Sequence, residues 1–189
     1  ISEIFIKVEN YLMSKFKAPV VIPKLSFQKE VPEDASTFVV IPTILKSKEK
    51  VEEMFSKLEV YYLANKLENV FFALLGDCSE EDVQTTDFDE EVRCKGVELC
   101  KRLNKKYAKE GFNRFQFLYR KREWNGQEKA YIGWERKRGL LMTFNKYIKG
   151  LKEDSFLENT IKHEANTPNI KYIITLDRDT NLNLHTANK

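Results

Sequence analysis

The sequence is poor in cysteine and histidine, has no long apolar run and shows no excess of one charge. Its three cysteines, Cys78, Cys94 and Cys100, are odd in number and include no CxxC pair. That argues against a disulfide framework or a zinc site and fits a reducing compartment. Neither of its two histidines, His163 and His185, has a Ser or Cys partner at recognisable spacing. A nucleophilic triad is therefore unsupported. No stretch of about 18 apolar residues is present, so nothing reads as a membrane-spanning helix. No cationic stretch and small-residue cleavage site mark a secretory signal at the start. Neither GxGxxG nor GxxxxGK[ST] follows the first apolar run, which removes the dinucleotide fingerprint and the P-loop. With 32 Lys plus Arg against 29 Asp plus Glu the net charge is only +3. Global electrostatics thus makes no case for nucleic acid.

What remains is a globular profile: 189 residues, 42% hydrophobic, 32% charged and 12% aromatic. This length suits a single domain with one well-covered core. The chain opens on Ile1 rather than Met and stops at HTANK, which suggests a piece of something longer.

Ser2 to Phe16 carries Ile4, Phe5, Val8 and Leu12 on one helical face. Its mixed charges, Glu3, Lys7 and Glu9, read as a packing helix rather than a membrane-surface one. Pro19 and Pro23 then impose an extended lead-in, so residues 1–36 form a helix and linker ahead of a core over 37–189. In that core, FVVI (38–41), VFFALL (70–75), FQFLY (115–119) and YIITL (172–176) read as buried strands. Helical spacing follows Ser47, begins near Asp89 and recurs from about Lys137. The alternation predicts an α/β fold: a Rossmann-like, open, mainly parallel sheet with helices on both faces.

In such sheets ligands bind beyond the carboxyl ends of the strands. Pro42-Thr43, Asp77, Arg120-Lys121-Arg122 and Asp177-Arg178-Asp179 stand there. An Asp-x-Asp pair closing a buried strand suits a hard divalent cation that also takes phosphate oxygens from a substrate; the alternative is a solvated turn. His185 lies eight positions beyond Asp177 but close to the chain end. The second copy, Asp87-Phe88-Asp89, precedes a helix and reads as capping. Asp77 either accepts hydrogen bonds from a ribose or base or merely opens a loop. Arg136-Lys137-Arg138-Gly139 puts three cations where a helix begins, against the helix dipole. A bound phosphate reverses that penalty, and a solvated basic turn is the plainer reading. Trp124 and Trp134 bracket the preceding loop, either to stack on a ligand or to pack beneath the loop.

Taken in order, FVVIPTIL, LEVYYLAN, FFALLGD, YRKREWNGQEKAYIGWERKRGLL and YIITLDRDT resemble the glycosyltransferase domain of cyclic β-1,2-glucan synthases over residues 25–183. The resemblance implies a GT-A fold and an inverting glucosyltransferase that moves glucose from UDP-glucose to a growing β-1,2-glucan. It implies donor contacts from Pro42, Thr43, Asp77, Lys137, Arg138 and Gly139. Asp177 and Asp179 would hold Mg²⁺ or Mn²⁺. A catalytic base and acceptor site would lie beyond Lys189, in a parent at the cytoplasmic face of a bacterial inner membrane. Two positions depart from the family pattern: Arg178 replaces a small residue between the acids, and Gly76-Asp77-Cys78 stands where S-D-W is common. Two other readings stay open, a transferase of the same fold with another sugar donor and a non-catalytic anion-binding module for nucleic acid or a membrane surface.

Overall fold

Apolar runs such as FVVI and VFFALL offer water no polar face, so they persist only where both sides of a sheet are covered. The computed structural model describes residues 2–16, 27, 30–108, 111–151, 155–162, 167–180 and 182. Its strands are β1 (Thr37–Ile44), β2 (Val70–Asp77), β3 (Phe115–Arg120), β4 (Glu123–Asn125), β5 (Ala130–Ile132), β6 (Phe156–Asn159) and β7 (Tyr172–Thr175). Its helices are α1 (Ser2–Phe16), α2 (Lys48–Ala64), α3 (Asp87–Lys106) and α4 (Arg136–Ile148).

β1, β2, β3 and β7 run parallel, and the five-stranded sheet has the order β6-β3-β2-β1-β7, with β6 antiparallel at one edge. Alternation along each strand sorts side chains into two cores. Val39, Ile41, Phe72, Leu74 and Phe117 meet α2 and α3 through Met54, Phe55, Leu58, Val92 and Leu99. Phe38, Val40, Phe71, Ala73 and Leu118 meet α4 through Leu140, Phe144 and Tyr147. Helices therefore cover both faces, as the alternating pattern predicts. Each fully buried Leu, Val or Phe contributes about 1.5–3 kcal/mol.

The helix starts follow their capping residues. Ser47 Oγ accepts from Lys50 N at 3.1 Å. Thr86 and Asp89 form a capping box, with Thr86 N donating to Asp89 Oδ2 at 2.7 Å. Asp89 does more than cap. Buried beneath α3, it accepts from Tyr119 Oη at 3.0 Å and from both terminal nitrogens of the equally buried Arg122. This ties the start of α3 to the end of β3.

Three features depart from the sequence reading. β7 is a half-exposed edge strand rather than a buried one, because among the described residues it has a partner, β1, on only one side. The β4–β5 hairpin occupies the loop that Trp124 and Trp134 bracket, and short β6 lies outside the four apolar runs. α1 buries none of its residues, and Ile4, Phe5 and Phe16 stay exposed. The lead-in at 17–26, His163 and His185 lie outside the described residues. Among the described residues no helix is long and apolar enough to cross a membrane.

The Asp89 network has a pH signature. Burial pushes its carboxyl up, but Arg122 and Thr86 outweigh that and hold it below its ordinary value of 3.8. A lowered acid stabilises the fold above its unfolded value and loses that contribution as pH falls through the folded one. Asp89→Ala should cost about 3–5 kcal/mol at pH 7, since it leaves Arg122 charged, buried and unpaired. Urea melts at pH 7 and pH 3 should show a smaller acid-induced loss in Asp89→Asn than in wild type. Equal losses would remove Asp89 as the source.

Candidate functional site

The strand order reverses at β1: β2 and β3 lie on one side of it and β7 on the other. A reversal leaves a crevice at the carboxyl ends, because the connections leave toward opposite faces. β7 pairs with β1 only as far as Val40, where Leu176 N donates to Val40 O at 2.9 Å. Residue 42 presents its backbone to that same side, two residues further on. Pro42 is thus tolerated inside a strand, since its missing N–H falls where β7 no longer runs.

The crevice is a cleft of about 730 Å³. Pro42, Thr43, Asp77, Lys137, Asp177 and Asp179 all line it, so six of the eight candidates come together. Ile44, Lys46, Ser47, Lys50, Arg136, Leu140 and Arg178 complete the wall. The Asp177–Asp179 turn closes through Thr180 N to Asp177 O at 3.0 Å. α2 pins it from beneath, with Lys57 Nζ donating to Arg178 O and Tyr61 Oη to Thr180 O. Across the cleft Lys137 forms an ion pair with Asp177.

Arg138 and Gly139 are the two candidates outside the lining. Arg138 points to solvent and pairs with Glu135, while Gly139 is buried behind the turn. The cause is local: Glu135 and Arg136 both have left-handed backbones (φ 47° and 46°), which rotates the helix start. Arg136 faces the cleft instead, a residue that the basic run contained without distinguishing it from its neighbours. No side chain caps α4, and its first turn has no acid. The helix therefore brings two cations and the positive end of its dipole to the cleft.

Arg120 holds this strained turn. Its Nε donates to Asp77 Oδ1 at 3.0 Å and its Nη2 to Oδ2 at 2.6 Å. Nη1 reaches Trp134 O at 2.9 Å and Nη2 reaches Arg136 O at 3.0 Å. Burial pushes the Asp77 carboxyl above its ordinary range, and the Arg120 contact opposes that rise. The run Arg120-Lys121-Arg122 is therefore no surface basic cluster, because both arginines are buried against carboxylates. Burial also pushes the neighbouring Cys78 thiol up to about 12, so it is no nucleophile at neutral pH. Trp124 packs edge-on against Tyr131 in the hairpin, and neither tryptophan lines the cleft.

Among the described residues no group of three or more His, Cys, Asp or Glu is placed to hold a metal alone. Two carboxylates opening on a roomy cleft suit a hard cation that takes its remaining ligands from water and phosphate oxygens.

No protein-family model matches the chain. It is 35% identical over 177 residues, 92% of its length, to part of the cyclic beta-(1,2)-glucan synthase NdvB of Rhizobium meliloti (strain 1021). The chain spans 6% of that protein's length and is homologous to that segment.

The turn leaves no room behind it. A Cβ on Gly139 would overlap the Trp134 carbonyl oxygen, whereas one on Gly126 would meet only Trp124 Nε1 at 4.0 Å. Gly139→Ala should therefore cost about 3 kcal/mol, the upper end of ordinary overpacking penalties. Gly126→Ala should stay within about 0.5 kcal/mol of wild type. Comparable melting temperatures for the two variants would contradict this packing.

Proposed function

We propose that the cleft binds a nucleotide sugar with a divalent cation, and that the chain is the donor-binding part of a GT-A glucosyltransferase acting in β-1,2-glucan synthesis. One observation carries the reading: Pro42 and Thr43, the cations Arg136 and Lys137, and the pair Asp177/Asp179 converge on one cleft at the strand-order reversal. Homology to part of a cyclic beta-(1,2)-glucan synthase supports glucose as the sugar, UDP-glucose as donor and a glucan as acceptor.

In this reading Pro42 and Thr43 flank the nucleoside at the end of β1, with Asp77 on the cleft floor. Lys137 exchanges its carboxylate partner for the diphosphate, and Arg136 adds a second cation beside it. Asp177 and Asp179 hold Mg²⁺ or Mn²⁺ together with phosphate oxygens. A cation bound there neutralises charge growing on the departing diphosphate. Inverting transfer also needs a base beside the attacking hydroxyl. Donor binding is the activity assigned to these residues, and polymer synthesis to the parent protein at the membrane.

Calorimetry provides the test. UDP-glucose should bind in the presence of Mn²⁺, bind at least tenfold more weakly without it, and lose the metal dependence in Asp179→Ala. Metal-independent binding, or binding to polyanions that weakens steeply with salt, would favour an anion-binding module instead.

A further inference from the structure

We infer that Arg120 is the positioning residue for the diphosphate side of the cleft, a role that rests on the donor-binding reading above. Arg120 does not line the cleft, so it acts through what it holds. Its planar fork makes four hydrogen bonds at once, two to the Asp77 carboxylate and one each to the carbonyls of Trp134 and Arg136. Those carbonyls bracket Glu135, and two successive residues there are left-handed. Such non-glycine conformations persist only where the surroundings over-determine them. The conformation in turn sends Arg136 and Lys137 into the cleft and Arg138 away from it.

α4 has anchors apart from this turn: Leu140, Phe144 and Tyr147 are buried against the sheet. Losing the fork should therefore release the turn while the helix stays docked. A lysine cannot substitute, since a single ammonium lacks the planar geometry that joins a carboxylate and two carbonyls. Diphosphate recognition should suffer most, and nucleoside recognition, which rests on Pro42 and Thr43 as well as on the Asp77 that Arg120 holds, should lose less.

The experiment compares wild type, Arg120→Lys and Arg120→Gln for binding of UDP with Mn²⁺ and of uridine alone, with thermal melts on each. In a variant that melts cooperatively, UDP affinity should fall about 10–100-fold, as expected for lost charge-assisted contacts, and by at least about fivefold more than uridine affinity. Hydrogen exchange should show faster amides at residues 134–137 but not at 140–147. Equal losses for UDP and uridine, or an unchanged UDP affinity, overturn the inference. So does failure of both variants to fold, which makes Arg120 a residue of the fold alone. Wild-type chain that binds neither ligand removes the donor reading itself, an outcome distinct from a variant that binds like wild type.

Discussion

The buried ion pair between Arg120 and Asp77 is the contact on which the cleft depends. The parallel register sets Gly76 beside Tyr119, so the next residues, an acid ending β2 and an arginine ending β3, become neighbours. Removing both from water is costly, and such pairs rarely add net stability over a well-packed apolar alternative. Here the pair makes two further bonds, to the carbonyls of the turn before α4. Its consequence is therefore geometric: it fixes where α4 begins and which cations face the cleft. The Arg122–Asp89 pair plays the corresponding part for α3, joining a helix start to the segment just past β3.

These pairs connect the fold to its chemistry. The sheet supplies a crevice where its strand order reverses, α2 braces the acidic turn after β7, and the Arg120 fork braces the basic turn opposite. Lys137 and Asp177 meet across the gap, so both charges of the proposed metal–diphosphate site stand in place. That pair is half exposed, so its own contribution to stability is small. The proposed exchange of Lys137 from Asp177 to a diphosphate therefore costs little.

Much of this was legible in the sequence. The apolar runs at 38–41 and 70–75 are strands because nothing else covers both faces, and Ser47 and Thr86 announce their helices chemically. Pro42, Thr43, Asp77, Asp177 and Asp179 share one cleft because the rule locating ligands at strand ends needs only strand direction, and Lys137 joins them from the start of α4. The remainder depended on tertiary pairing. Arg120 and Arg122 look like surface charge until the register sets carboxylates beside them. Arg138 and Arg136 exchange roles because two left-handed residues turn the helix start, which composition does not encode. β6 and the β4–β5 hairpin are too short to show a period, and β7, apolar in sequence, is left half exposed by its edge position.

The most direct test is a crystal structure of the chain grown with UDP and Mn²⁺. The diphosphate is expected between Lys137 and the Asp177–Asp179 turn, with Mn²⁺ on those carboxylates and Arg120 still bridging Asp77 to the carbonyls of Trp134 and Arg136. UDP bound away from the β1–β7 crevice, or within it but out of reach of Lys137 and both acids, would contradict the assignment.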